Sequence, residues 1–303
     1  MTTLTSAPSA PADVIDIEIG SESGFFRPDS VTWKVMLSPT YVPGLLSILD
    51  LFEAFPPCGL MGAQSVTYQD PIGRSTRTLE YMLTLTFGDR DQAMSLIEHV
   101  NAMHDTIKCH WNGRDYCASD PENLLWLYVP FMQATMDAYD AYGPSRLTPE
   151  ERDQMWREVE VIALLNRIPA EMIPTSQAEA DKYFEEMRPR LAVIEESAYA
   201  HRLVFPLLWD NGIVPVALVP LVRLVEECAT ALTPDYVLKL HGQYRPAFVR
   251  RATIAAYRPL FRAMALTPGL RDALPRVAGE PVLSMVRDAR ARRAAVMRSS
   301  HGG

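Results

Sequence analysis

Apolar positions recur at helical spacing through most of the chain, and sustained alternation is nearly absent. The pattern predicts helices near 42–55, 71–86, 90–108, 121–142, 149–166, 176–187, 190–204, 215–231, 245–264 and 282–298. Asp70-Pro71, Asp120-Pro121 and Thr148-Pro149 each set a capping residue before a proline at the first helical position. Thr148-Pro149-Glu150-Glu151 also reads as a capping box. Strand signals are confined to Ser65-Val66-Thr67-Tyr68 and Ile213-Val214-Pro215-Val216, the second broken by its proline. No internal repeat is visible. The expected fold class is all-α: a Ser/Thr/Ala/Pro-rich mobile tail over 1–18, then a single domain of about ten helices over 19–300, with a helical C-terminal subregion from residue 191.

Three of these helices carry candidate chemistry on identifiable faces. Along 90–108, Ala93, Leu96, Ile97, Val100, Met103, His104 and Ile107 fall on one side, which turns His104 toward the core and leaves His99 at the edge of the stripe. Along 121–142, Leu124, Leu125, Tyr128, Phe131, Met132, Thr135 and Tyr139 form a similar stripe and turn Tyr128 inward. The helix from Pro71 is apolar at Ile72, Leu79, Met82 and Leu83. Arg74, Thr78, Tyr81 and Leu85 line a second side, with Arg74 and Thr78 one turn apart.

Composition narrows the functional classes. With 48% apolar residues in 303, the chain can bury a large core. A formal charge of −8, with no basic stripe, argues against a nucleic-acid binder. No uncharged apolar run is long enough for a membrane span. The first residues lack a basic and then apolar leader, so secretion is not expected and the expected address is cytoplasmic. Cys58, Cys109, Cys117 and Cys228 show no metal or redox spacing and are expected to be reduced thiols, although Cys109 and Cys117 flank a short loop that a disulfide would fit.

Known motifs are mostly absent. The six histidines (His99, His104, His110, His201, His241, His301) show no zinc spacing, and the acidic residues form no calcium loop. Gly59-Leu60-Met61-Gly62-Ala63 lacks the lysine and the preceding strand of a phosphate loop, and no nucleophile elbow occurs. His201 and His241 read as surface or capping histidines. What remains is His104. It reads either as a core histidine satisfied by a carbonyl or by the neighbourhood of Asp105, or as an axial ligand presented to haem from a helix. Arg74 is a solvated or ion-paired arginine, or an anchor for a propionate. Tyr128 is a hydrogen-bonded core tyrosine or a group beside a bound ligand.

An ordered series of segments resembles the rubber-oxygenase catalytic domain, the latex-clearing-protein-like and MpaB-like haem b oxygenases. It runs through Asp70-Pro71-Ile72-Gly73-Arg74, Arg77-Thr78, Phe87-Gly88-Asp89 and Val100-Asn101-Ala102-Met103-His104. It continues with Gly113-Arg114-Asp115-Tyr116-Cys117-Ala118, Asp120-Pro121, Leu124-Leu125-Trp126, Leu147-Thr148-Pro149-Glu150-Glu151-Arg152 and Ile168-Pro169 through Ile173-Pro174, and so covers roughly 40–190. The resemblance implies a buried haem b pocket with His104 as proximal iron ligand and dioxygen or peroxide as co-substrate. It implies Arg74 and Arg77 as propionate partners and Thr78 as a hydrogen-bond donor to haem or bound ligand.

Family members carry His-Pro where this chain has Phe55-Pro56, His-Ser where it has Gln64-Ser65, and a histidine where it has Tyr128. Retention of one histidine and loss of three implies bound haem with altered distal chemistry, so polyisoprene cleavage does not carry over. The expected function is a haem-dependent oxygenase acting on an apolar or aromatic small molecule, with Tyr128 and Thr78 as its candidate catalytic residues. Three alternatives stand beside it: a haem enzyme of non-oxygenase type, a haem sensor or carrier with Tyr128 as second ligand, and a haem-free helical scaffold or interaction protein.

Overall fold

A computed structural model of the chain describes residues 24–63, 71–195, 219–272, 275–276 and 279–301. The expected tail, both expected strands (65–68 and 213–216) and His201 lie outside the described residues. The fold is all-α apart from one small hairpin. Its helices are α1 (Val31–Met36), α2 (Tyr41–Ala54), α3 (Pro56–Ala63), α4 (Pro71–Phe87), α5 (Arg90–His104), α6 (Pro121–Tyr142), α7 (Pro149–Leu165), α8 (Gln177–Met187), α9 (Val219–Leu232), α10 (Asp235–Leu240), α11 (Ala247–Leu266) and α12 (Glu280–His301). The hairpin strands are β1 (Lys108–Trp111) and β2 (Arg114–Cys117).

The organising element is α6, which is buried on nearly every side and not along a single stripe. Trp126, Val129, Pro130, Met136 and Tyr142 are buried beside the expected Leu124, Leu125, Tyr128, Phe131, Met132, Thr135 and Tyr139. Helix α2 lies along it. At Gly44 the two backbones come close, and a Cβ there would meet the Ala134 carbonyl at 3.0 Å and the Ala138 Cβ at 3.2 Å. Any larger residue at that position would force the two helices apart. Helix α9 packs on α2 and α11, α11 on α6, α12 on α4, and α1 on α7. The Trp126 Nε1–H donates to the Leu51 carbonyl at 3.1 Å, tying α6 to α2 through a fully buried indole.

Helix starts follow the expected chemistry at Thr148, where both halves of the capping box form. Asp120 caps α6 differently from expectation. Its side chain makes no bond to the first turn and instead accepts from the Cys117 N–H at 2.8 Å, so it joins the hairpin to the helix.

Several boundaries differ from the sequence expectation. The helix expected over 90–108 stops at His104, because residues 108–117 form the hairpin. The helix expected from 190 is absent over 191–195, which follow a short 3-10 turn at Arg188–Arg190. Helices α1, α3 and α10 fall where none was expected, each being too short to show a full amphipathic period. Met103, placed by its spacing on the inward stripe of α5, is 41% exposed, and the buried line runs Ala93, Ile97, Asn101 instead. All four cysteines are free.

Candidate functional site

The first turns of α4 and the last turn of α5 meet at one corner. Arg74 closes the first turn of α4, and Thr78 follows one turn later. The Thr78 hydroxyl donates to the Arg74 carbonyl at 3.0 Å, the usual way a threonine satisfies itself within a helix. That hydroxyl is thereby committed to its own backbone. The α4–α5 connection is tight: a Cβ on Gly88 would meet the Thr84 carbonyl at 2.6 Å, so only glycine fits there. Asp89 then caps α5 by accepting from the Gln92 N–H at 2.8 Å.

His104 is the last residue of α5 and is half-buried. Its Nδ1 is buried with no hydrogen-bond partner. A core histidine satisfied by a carbonyl at that atom, one of the two readings of the sequence, is not what the structure contains. Burial lowers its pKa, the positive charge of Arg74 lowers it further, and Asp105 opposes them. The imidazole is therefore held neutral at neutral pH, the form that can ligate a metal.

Arg74 is unusual in the same way. Its guanidinium is pushed below its ordinary pKa, first by burial and then by the charge of Arg77, whose own side chain is exposed. Among the described residues no carboxylate pairs with Arg74. It is partly buried, and neither full solvation nor an ion pair within the described residues accounts for it. Enclosing a cation without a counter-charge is costly, and the cost falls when an anion binds.

Three elements brace the turn that carries His104. The strands β1 and β2 pair antiparallel, and the turn between them uses Asn112 at φ 51° and Gly113 at φ 80°. These left-handed angles suit a two-residue hairpin turn. The Cys117 thiol lies 3.5 Å from the His104 carbonyl oxygen, and the Ala118 N–H donates to the Ile107 carbonyl at 2.9 Å. From the far side, the Asn101 amide donates to the Leu165 carbonyl at 3.1 Å and Arg167 pairs with Asp105 at 3.1 Å. The Tyr81 hydroxyl donates to Asn166 at 3.1 Å and so fastens α4 to the same end of α7. Sequence pattern gives Asp105 and Arg167 no bracing role, and it names Asn101 and Cys117 only as members of longer segments. The Asn112-Gly113 pair is the one available signal, since it marks the hairpin that brings Cys117 back to His104.

Tyr128 faces inward as expected. Its ring packs edge-on against Trp156, with centroids 6.4 Å apart, and its hydroxyl has no hydrogen-bond partner. Burial pushes its pKa far above the ordinary value, with Glu160 adding to the effect, so the phenol stays protonated. No hydrogen bond joins Tyr128 to Arg74, Thr78 or His104. Buried polar atoms without a hydrogen bond also occur at Trp33, Tyr41, Tyr183 and Asp235 and at the Nε of Arg250, Arg271 and Arg292. What sets the corner apart is that the charge of Arg74 acts on the unpaired His104 imidazole. His241, expected as a surface or capping residue, is half-buried and closes α10 onto α2, its Nε2 lying 2.9 Å from the Asp50 carbonyl oxygen.

Comparison with known families turns this geometry into an assignment. A family model described as "ER-bound oxygenase mpaB/B'/Rubber oxygenase, catalytic domain" matches residues 33–266. The chain belongs to this family. The match takes in α2 through α11 with most of α1, and therefore includes Arg74, Thr78, His104 and Tyr128. No curated protein and no solved structure matches the chain. As an mpaB/rubber-oxygenase catalytic domain, the protein is of oxygenase type. Among the described residues no group of three or more His, Cys, Asp or Glu could hold a bare metal ion. A porphyrin brings its own nitrogen donors and asks the protein for a single axial imidazole, together with cations for its carboxylates. The neutral, unpaired His104 and an Arg74 that has no carboxylate partner among the described residues fit both requirements.

Proposed function

We propose that the protein is a haem b-dependent oxygenase acting on an apolar or aromatic small molecule, with His104 as the proximal iron ligand. The observation that carries this reading is the pair at the α4–α5 corner, a buried and unpaired imidazole nitrogen and a guanidinium that no carboxylate among the described residues pairs with. Bound haem would supply the redox chemistry with dioxygen or peroxide as co-substrate, and the protein would supply ligation, orientation and a dry cavity.

The residues divide the work by their chemistry. Arg74 would take a propionate, gaining the counter-charge it lacks, and Arg77, which lowers the pKa of Arg74, would share that charge. His104 would be presented with little freedom, because the hairpin and the end of α7 hold its turn. Thr78 is better placed to stiffen the first turns of α4 than to bond a ligand, its proton being already given to the Arg74 carbonyl. Tyr128, kept protonated by burial, is suited to donate a hydrogen bond to a bound ligand or substrate and poorly suited to serve as an anionic second ligand. This favours the enzyme over the sensor or carrier.

The test is reconstitution. Purified protein incubated with haem b and desalted is expected to show a Soret band, and His104→Ala is expected to lose or shift it. A preparation that stays colourless overturns the haem reading. An unchanged spectrum in His104→Ala assigns the axial bond to another residue.

A further inference from the structure

The net charge of −8 hides a local reversal that corrects the expectation of no basic stripe. From Arg245 to Arg271 the chain has six arginines (Arg245, Arg250, Arg251, Arg258, Arg262, Arg271) and no acidic residue. Most of this stretch is α11. One side of the helix is committed to the fold through Phe261 and Met264, with Ile254 and Tyr257 packed beside them. The opposite side is apolar and open. Phe248 is 68% exposed and Leu266 75% exposed, and they lie eighteen residues apart, about five turns, on one line of the helix. Between them the same face carries Ala252, Ala255, Ala256, Pro259 and Ala263, Leu260 lies at its edge, and Leu270 follows past the helix end.

Four of the arginines are spoken for within the fold. Arg245 pairs with Glu227, Arg250 pairs with Asp235, Arg258 donates to the Ala141 carbonyl and Arg262 to that of Gly143. The last two bind neutral carbonyls, so their charge is not cancelled. Arg251, exposed on the flank of the apolar face, makes no ion pair among the described residues. The result is an exposed apolar strip edged by positive charge and free of negative charge, on a protein that is acidic overall.

We propose that this face of α11 docks in plane on an anionic lipid surface, with Phe248 and Leu266 entering the headgroup–acyl boundary, Leu260 at its edge, Arg251 meeting lipid phosphates, and the uncancelled charges of Arg258 and Arg262 adding attraction at longer range. Charge complementarity decides the occupant. A second copy of the chain packed on a two-fold axis would bring the arginines of the two copies together with no acid on the face to separate them. An anionic bilayer offers phosphates to the arginines and hydrocarbon to the side chains between them. No single helix among the described residues is long and apolar enough to cross a membrane. The docking lies in plane with the surface, and it stands independently of the haem reading.

The test is co-sedimentation of the purified full-length chain with vesicles of phosphatidylcholine alone or containing roughly 30% phosphatidylserine. Binding to the anionic vesicles is expected, weaker in high salt and weak to the neutral ones. Phe248→Glu with Leu266→Glu is expected to lower the affinity about tenfold or more, and Arg251→Glu to lower it less. All three positions are exposed, so unchanged circular dichroism verifies folding, and the milder Phe248→Ala gives the same direction if the double variant unfolds. No binding to anionic vesicles overturns the proposal, as does binding that the variants leave unchanged. Concentration-dependent self-association abolished by Phe248→Glu with Leu266→Glu, without vesicle binding, would assign the face to a second copy instead.

Discussion

Helix α6 and the α4–α5 corner treat their polar groups in opposite ways. Along α6 nearly every buried polar atom has a partner: the Trp126 indole gives its proton to Leu51, the Thr135 hydroxyl to Phe131, and the Tyr142 hydroxyl to the Cys228 carbonyl at 2.9 Å. At the corner, the His104 Nδ1 has no partner and the Arg74 guanidinium faces no carboxylate among the described residues. The first arrangement is what stability alone selects. The second costs stability in the absence of a ligand and is retained only where something else is gained. Tyr128 is the point at which the two regions resemble each other, since it sits in the packed helix with a hydroxyl that bonds nothing.

Variants that exchange the characters of the two regions sharpen the contrast, and the largest effect belongs to α6. Trp126→Ala removes a fully buried indole and its bond to α2, and is expected to cost about 3–5 kcal/mol in a denaturant titration of the apoprotein. Gly44→Leu, where α2 comes close to α6, is expected to cost about 1–3 kcal/mol or more by overpacking.

An ion pair far from the corner shows what a compensated charge looks like. Burial raises the pKa of the Asp272 carboxyl, but hydrogen bonds from Arg287 and Arg290 outweigh it and hold the group below its ordinary range. The stability it contributes is present above the ordinary carboxylate pKa and is lost as pH falls through the lowered folded value. Asp272→Asn is expected to cost about 2 kcal/mol at neutral pH and to flatten the fall in melting temperature below roughly pH 4.

At the corner itself the expected stability effects are small or reversed. Arg74→Met keeps the packing of the stem and removes an uncompensated charge, so the apoprotein is expected to melt at the same temperature or higher. The same variant is expected to retain haem about tenfold less well, read from the Soret band after desalting. A fall of several degrees in the apoprotein would show that Arg74 is structural. Smallest of all, Tyr128→Phe is expected to leave stability within about 0.5 kcal/mol, because the lost hydroxyl bonds nothing in the fold.

Part of this contrast is legible in the residue order. The 3.6-residue period locates α4, α5, α6 and α7 to within a few residues, and the capping box at Thr148 forms as its residues require. The same period puts His104 and Tyr128 on inward faces and Arg74 one turn from Thr78. The end of α5 falls four residues short of its expected position, because Asp105 to Lys108 are compatible with a helix and only the hairpin stops it. The Asn112-Gly113 turn is the local sign of that hairpin. Met103 shares a face with apolar neighbours and is nonetheless exposed, since periodicity does not show whether another element covers a face.

Which residues can form helices, where those helices begin and which side chains share a face all follow from contacts within about four residues, so the order of amino acids suffices for them. Three further facts belong to the assembled fold. No carboxylate among the described residues pairs with Arg74 near His104, the Thr78 proton is spent on a carbonyl, and one apolar face of α11 is exposed. Each depends on what arrives from distant parts of the chain, or does not arrive, and no local pattern encodes an absent partner.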